Sequence, residues 1–307
     1  MTSWRVLITD GLSREGLELL QRQAEVIETP DLGPLPQVEA LIVRSRTRVR
    51  REDLSAASRL KVVGRAGVGV DNIDLEAARQ TGVVVVNSPE AATVAVAEHT
   101  LGLMLALARQ IPRADGALHR GEWLKPELWG EELAGKVLGL IGFGRIGQAL
   151  GQRAAALGMR LLAHDPLLSA EAVRAGGAEP APFDDLLLAS DYVSLHLPLN
   201  EDTRGLMDRE ALAKVKRGAR LISTARGGVV DEQALLEALE SGRLAGAALD
   251  VFEHEPPPLT ALLQHPRLVA TPHIAAQTVE AQRRASIDIA LEVLAALRGD
   301  PLRWRVA

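Results

Sequence analysis

The stretch Val137-Leu138-Gly139-Leu140-Ile141-Gly142-Phe143-Gly144-Arg145-Ile146-Gly147 constrains this chain more than any other. An apolar run opens directly into Gly142-x-Gly144-x-x-Gly147, and helix-forming residues follow. That order specifies a strand, a sharp turn and a helix. Gly142 permits the turn, Gly144 lets a pyrophosphate approach the backbone, and Gly147 lets helix and strand pack closely. The helix start offers N–H groups and a positive dipole end to phosphate oxygens.

The rest of the chain alternates in the same way. Before the motif, strands are expected at 4–9, 40–43, 60–64 and 83–86, with helices at 13–23, 51–57 and 75–81. A long Ala- and Leu-rich helix over 91–110 leads to the motif. Beyond it, strands are expected at 137–141, 160–163, 192–195, 220–223, 247–251 and 268–270. Helices are expected at 145–157, 231–241 and 279–297. Strands separated by helices imply parallel, doubly wound sheets covered on both faces. At 307 residues there is chain enough for two such α/β units, with a cleft expected between them. The final helix follows the last strand of the second unit and can return to the first. The expected division is therefore 1–97 with 279–307, and 98–278.

Composition narrows the function classes. A net charge of −5 argues against a general nucleic-acid binder. The absence of cysteine removes disulfides, thiolate metal sites and a cysteine nucleophile, and fits a reducing, cytoplasmic setting. The opening Met1-Thr2-Ser3-Trp4 runs into a strand without the layout of a signal peptide. The most apolar stretch, 91–108, carries Glu98 and His99 near its middle and reads as a buried helix rather than a membrane span.

Several polar residues stand where strands should end. Asp165 closes the strand after the glycine motif, roughly twenty residues beyond its last glycine, where a carboxylate accepts bonds from ribose hydroxyls and repels a 2′-phosphate. NAD is therefore expected over NADP, although a turn residue before Pro166 would look the same. Arg226, in Ser223-Thr224-Ala225-Arg226-Gly227-Gly228, could clamp a carboxylate bidentately or serve in a structural ion pair. Glu255 precedes Pro256, and His273 follows the last expected strand. A histidine can carry the alcohol proton in a hydride transfer, and a nearby carboxylate would orient it. Sequence spacing leaves open whether Glu255 and His273 meet. No metal-ligand spacing and no Gly-x-Ser-x-Gly elbow occurs.

With these residues placed, almost the whole chain resembles the D-isomer-specific 2-hydroxyacid dehydrogenases, and especially members acting on 3-phosphoglycerate. The resemblance is carried by Arg44-Ser45-Arg46-Thr47, Gly64-Arg65-Ala66-Gly67-Val68-Gly69-Val70-Asp71-Asn72, the glycine motif, Ala225-Arg226-Gly227-Gly228-Val229-Val230-Asp231-Glu232 and Leu249-Asp250-Val251-Phe252-x-x-Glu255-Pro256. It implies a Rossmann NAD-binding domain inserted in a discontinuous flavodoxin-like substrate domain. The implied catalytic set is Arg226, Glu255 and His273. Implied cofactor contacts are Gly142, Gly144, Arg145, Ile146, Gly147, Asp165, Leu197, Thr224, Ala225, Arg226, Asp250, His273, Ala275 and Ala276. Implied substrate contacts are Arg44, Ser45, Arg65, Gly67, Val68 and Gly69, with Arg44 and Arg65 the candidates for a substrate phosphate.

The same resemblance implies a homodimer formed through the helix from Ala91 and the following arm, in which Trp123 and Trp129 serve either as interface anchors or in internal packing. His164 stands where the family has a tyrosine, and Val68 where relatives often have a threonine. The chain ends at Ala307 without the regulatory domains of longer members, so serine feedback through such a domain is not expected. A glyoxylate or hydroxypyruvate reductase on the same scaffold, or a non-catalytic NAD-sensing corepressor, are the other readings.

Overall fold

The computed structural model describes residues 4–307. Met1, Thr2 and Ser3, part of the opening read as free of a leader, lie outside the described residues. The chain divides into two compact units, the first ending at Thr93 and resuming over Ala276–Ala307, the second Val94–Ala275. These divisions fall a few residues before the expected 97/98 and 278/279. The long bridging helix counts almost wholly with the second unit, and residues 276–278 count with the final helix.

The first unit holds strands β1 (Trp4–Ile8), β2 (Ala24–Glu28), β3 (Ala40–Val43), β4 (Val62–Arg65) and β5 (Val84–Asn87). They form one parallel sheet in the order β2-β1-β3-β4-β5, the flavodoxin-like order. Helices α1 (Arg14–Gln21), α2 (Arg51–Ala56) and α3 (Leu75–Thr81) connect them. Ser13 caps α1 by accepting from the Gly16 N–H, and Asp74 caps α3 through the Ala77 N–H. Both faces of the sheet are buried. Val6, Ile8, Ile42 and Val62 lie in one core, while Leu7, Leu41, Val43 and Val63 lie in the other with Leu54, Ala77 and Ala78. β2 was not expected, because its Ala-Glu-Val-Ile-Glu run occupies a sheet edge and lacks the apolar signature of a central strand.

The second unit begins with α4 (Thr93–Arg109) and α5 (Ile111–His119). The single helix expected over 91–110 is thus shorter, and a second one follows. Gln110 takes a left-handed conformation with φ 51°, and Pro112 sits in the first turn of α5, where its missing N–H costs nothing. Strands β6 (Val137–Ile141), β7 (Arg160–His164), β8 (Glu179–Pro180), β9 (Tyr192–Leu195), β10 (Ala219–Ser223), β11 (Leu244–Leu249) and β12 (Leu268–Ala270) follow, with helices α6 (Arg145–Ala156), α7 (Ala170–Ala175), α8 (Phe183–Ala189), α9 (Arg209–Lys214) and α10 (Glu232–Glu240). The sheet is parallel in the order β12-β11-β10-β9-β6-β7-β8. β6 lies between β9 and β7, so the order reverses there, and a doubly wound sheet binds its ligand beyond the carboxyl ends of strands at that point.

The chain returns to the first unit in α11 (Val279–Arg298), capped by Thr278 through the Ala281 N–H. Its Ile289, Val293 and Leu294 complete the core that holds Val6 and Ile8. Residues 304–307 then run beside β5, where Val85 donates its N–H to the Ala307 carbonyl and accepts the Val306 N–H, and Asn87 N–H donates to the Trp304 carbonyl. Among the described residues, no helix is long and apolar enough to cross a membrane.

Candidate active site

The loop after β6 meets the demands placed on it. Gly142 has φ 85°, which a side chain would strain, and a β-carbon there would collide with the His196 carbonyl. A β-carbon at Gly147 would strike the Gly142 carbonyl, so α6 presses directly on the turn. At Gly144, the N-cap of α6, a β-carbon would meet nothing. The backbone is therefore packed from behind and open in front, and no side chain caps the helix that carries Arg145 and Ile146. That is the cradle a pyrophosphate requires.

Asp165 stands at the end of β7, beside this loop. Its Oδ2 accepts the Phe143 N–H at 2.8 Å, and its Oδ1 accepts the Leu167 N–H at 3.0 Å. It therefore does the turn-forming work considered above, while a carboxylate's remaining lone pairs leave capacity for ribose hydroxyls. A concavity of about 330 Å³ adjoins it, lined by residues that include His164, Asp165, Leu168, Val173 and Pro182. His164 does not swing freely at that wall. Its Nδ1 lies 3.2 Å from the Ala181 carbonyl, and its ring stands edge-on to Phe183 at 5.7 Å. Leu197 follows β9 on the other side, its side chain 3.0 Å from where a Gly142 β-carbon would be.

Three neighbouring strands supply the polar groups. Ser223, Leu249 and Ala270 stand in register at the ends of β10, β11 and β12. Beyond them come Thr224, Ala225 and Arg226, then Asp250 and Glu255, then His273 and Ala275. Glu255 and His273, 18 residues apart in sequence, meet: Glu255 Oε2 lies 2.8 Å from His273 Nδ1. Glu255 Oε1 accepts the Phe252 N–H at 3.2 Å, which fixes the carboxylate on its own segment. Gly227 holds the Arg226 loop against that segment, since a β-carbon there would overlap the Phe252 carbonyl. The Arg226 guanidinium donates to the Ala225 carbonyl at 2.8 Å. His273 has φ 53°, uncommon for any residue with a side chain.

Asp250 is fully buried. It was expected inside a strand over 247–251, but β11 ends at Leu249 and frees it to face the His273 loop. Its carboxylate accepts from the Thr271 hydroxyl at 2.6 Å, the Ile274 N–H at 2.9 Å and the Ala275 N–H at 2.9 Å. Burial alone would push its pKa up, but these bonds and one from His99 more than offset that and hold it below the usual carboxylate range.

Arg226, Glu255 and Asp165 with the glycine loop thus form an edge fitted for a dinucleotide and a carboxylate-bearing substrate, with an orientable histidine among them. Residues 101–275 match the family model described as "D-isomer specific 2-hydroxyacid dehydrogenase, NAD binding domain". The chain belongs to that family. Among its relatives, a D-3-phosphoglycerate dehydrogenase of Bacillus subtilis (strain 168) is 44% identical over 97% of this chain and 58% of its own length. One of Methanocaldococcus jannaschii is 44% identical over 96% of this chain and 58% of its own. A glyoxylate reductase of Paecilomyes thermophila has the same fold, with a TM-score of 0.90 and 33% identity over 100% of this chain and 99% of its own. The chain spans less than two thirds of the length of the two phosphoglycerate dehydrogenases.

The remaining family positions lie in or next to the first unit's sheet edge. Arg44 follows β3, and Arg65 ends β4, whose register pairs it with Val43. Asp10 accepts the N–H groups of Arg44 and Thr47, at 2.7 and 3.1 Å, and the Thr47 hydroxyl at 2.7 Å. Asn72 donates to the carbonyls of Arg44 and Thr47, which bracket Ser45. Asn87 donates to the Val68 carbonyl at 2.7 Å, and Ser88 N–H to that of Gly67, so the turn through Gly69 is held by its backbone. The valine at 68 leaves those bonds intact. Ala276 counts with the first unit, its carbonyl accepting from Gln282. The sequence reading missed His99 and Thr100, which a core-like helical pattern conceals. Only their partners across the fold reveal them.

Proposed function

We propose that this chain is an NAD-dependent D-3-phosphoglycerate dehydrogenase, oxidising its substrate to 3-phosphohydroxypyruvate in the first step of serine biosynthesis. The Glu255–His273 hydrogen bond carries the reading. With Nδ1 committed to the carboxylate, Nε2 is the nitrogen left to exchange a proton with the substrate hydroxyl. NAD, when bound, supplies the hydride acceptor. His273 takes the hydroxyl proton as the C2 hydrogen departs as hydride, so one proton and two electrons leave the alcohol carbon together. Arg226 holds the substrate carboxylate and the developing carbonyl in place. In the reverse direction His273 returns the proton.

The choice of a phosphorylated acid is supported by the relatives at 44% identity and by the arginines Arg44 and Arg65, which we assign to the phosphate. Ser45 and the backbone of Gly67, Val68 and Gly69 complete the proposed substrate contacts. We further infer a cytoplasmic homodimer built through α4, α5 and the arm after them. Trp123 is 73% and Trp129 84% exposed, and Ile111 and Leu118 are exposed nearby, so internal packing does not account for them. The likeness to a glyoxylate reductase favours a second reading, reduction of small unphosphorylated 2-oxo acids. A turnover panel with NADH separates the two. We expect kcat/KM for 3-phosphohydroxypyruvate to exceed that for glyoxylate and hydroxypyruvate; no advantage for the phosphorylated acid would remove the assignment.

A further inference from the structure

Two adjacent residues of α4 reach the two loops that carry the proposed chemistry. We propose that His99 and Thr100 are positioning residues, His99 setting the loop of His273 and Thr100 the loop of Arg226. The inference rests on the roles given above to those two groups.

Proton bookkeeping supports the first half. Thr271 Oγ1 lies 2.6 Å from the ionised Asp250 Oδ1, so its only hydrogen goes to the carboxylate. Towards His99 Nε2, at 3.1 Å, the same hydroxyl can therefore only accept. His99 Nε2 is thus the donor in that contact, and it is also 3.5 Å from Asp250 Oδ1. The result is a directed chain from His99 through Thr271 to Asp250. Asp250 in turn receives the N–H groups of Ile274 and Ala275 on its carboxylate and that of His273 on its carbonyl, at 2.8 Å. Every residue from 271 to 275 except Pro272 is tied to Asp250. A left-handed histidine persists only where its surroundings over-determine it, and this clamp does so. His99 is the donor that reaches the clamp from outside the loop.

The second half follows from the next residue. Thr100 Oγ1 donates to the Val96 carbonyl at 2.7 Å, so across the 2.9 Å contact with Thr224 Oγ1 it accepts. Thr224 therefore donates to the helix, immediately after β10 and two residues before Arg226. Both hydroxyls are buried, where a lost partner is costly. Further along α4, Leu103, Met104 and Leu107 pack in the core with Ile222 of β10 and Ala248 of β11, so the helix is anchored on the strands that carry these loops. A rigid helix thereby references both loops to one body.

Amide hydrogen exchange on cofactor-free protein, run beside steady-state kinetics with 3-phosphohydroxypyruvate and NADH, tests this. His99→Leu should speed exchange over residues 271–276 roughly tenfold or more. It should lower kcat about tenfold to a hundredfold while moving KM little, because a loop displaced by even 1 Å misplaces the proton carrier. His99→Gln, whose amide nitrogen can donate where Nε2 does, should restore both. Thr100→Val should leave residues 271–276 alone, speed exchange over 224–229 and raise KM more than it lowers kcat, with Thr100→Ser restoring both. Unchanged exchange and kinetics in the Leu and Val variants would overturn the inference. So would a uniform rise in exchange that Gln and Ser fail to reverse, which marks simple core damage. If the wild-type chain reduced no 2-oxo acid, the functional reading would fall, and the exchange data would still decide whether α4 fixes the loops.

Discussion

The carboxyl edges of the two sheets are made of different material. In the second unit the loops after β6 and β10 are rich in glycine, and those after β11 and β12 gather around one buried carboxylate, Asp250, which turns its bonds inward. In the first unit the loop after β3 carries Arg44 and Arg46 and the end of β4 carries Arg65, and the loops there are held by the side chains of Asp10, Asn72 and Asn87. Burial alone would raise the Asp10 pKa, but bonds from Thr47 and Arg44 and the charge of Arg46 more than offset it, so the carboxylate stays charged beneath the arginines. One edge offers backbone, the Arg226 guanidinium and the hydrogen-bonded Glu255–His273 pair; the other gathers Arg44, Arg46 and Arg65. Physically, the first suits an extended cofactor common to many reactions, and the second suits discrimination among anions.

The sharpest way to break that comparison is at His273, the proposed proton carrier. His273→Asn should lower kcat by roughly a hundredfold to ten-thousandfold on every 2-oxo acid while NADH binding, followed by fluorescence, survives. An unchanged kcat would strip His273 of its proposed role and leave the second unit's edge without its proposed chemistry. Next in size is Arg65→Ala in the first unit. It should cost about tenfold to a hundredfold in kcat/KM on 3-phosphohydroxypyruvate, the scale of a lost charged hydrogen bond, and much less on glyoxylate. Equal losses on both substrates would make Arg65 a scaffold residue and blur the distinction between the edges.

The smallest effect concerns stability. His196, behind the glycine loop, has its Nε2 2.9 Å from the Ser194 hydroxyl, and burial pushes its pKa down to about 4. The unfolded chain binds that proton below about pH 6.5 and the folded chain only near pH 4, so the folded state loses stability as pH falls through that window. At pH 5 the loss relative to pH 7 should be about 2 kcal/mol. Denaturant titrations of the wild type and His196→Gln should differ in slope across that range; parallel curves would mean that His196 titrates normally.

Elements with a strong local cause were legible in the sequence. Ser13 and Asp231 cap the helices expected to begin at them, and Gly158 and Gly242 take positive φ just after the helices expected to end at 157 and 241. The central strands announce themselves as apolar runs because both their faces are covered. What was illegible lay at edges and breaks. β2 and β8 are edge strands with little apolar signal, and α5, which follows directly on the helix expected to end at Gln110, opens with a proline in its first turn that reads as a stop rather than a start. Arg226, Glu255 and His273 were legible as strand-end residues. Their sharing of one edge follows from the β10-β11-β12 neighbourhood, which no local pattern encodes.

The sequence by itself determined two doubly wound sheets, the phosphate-binding turn and the inventory of reactive groups. Those depend on periodicity, turn chemistry and residue type, all of which act over a few residues. Only the tertiary structure decided that Glu255 holds His273 at Nδ1, that Asp250 faces inward to clamp residues 271–275, and that two residues of a core-like helix reach both reactive loops. Contacts across 18, 124 or 172 residues depend on which strands lie side by side, and that order is set by the packing of whole layers.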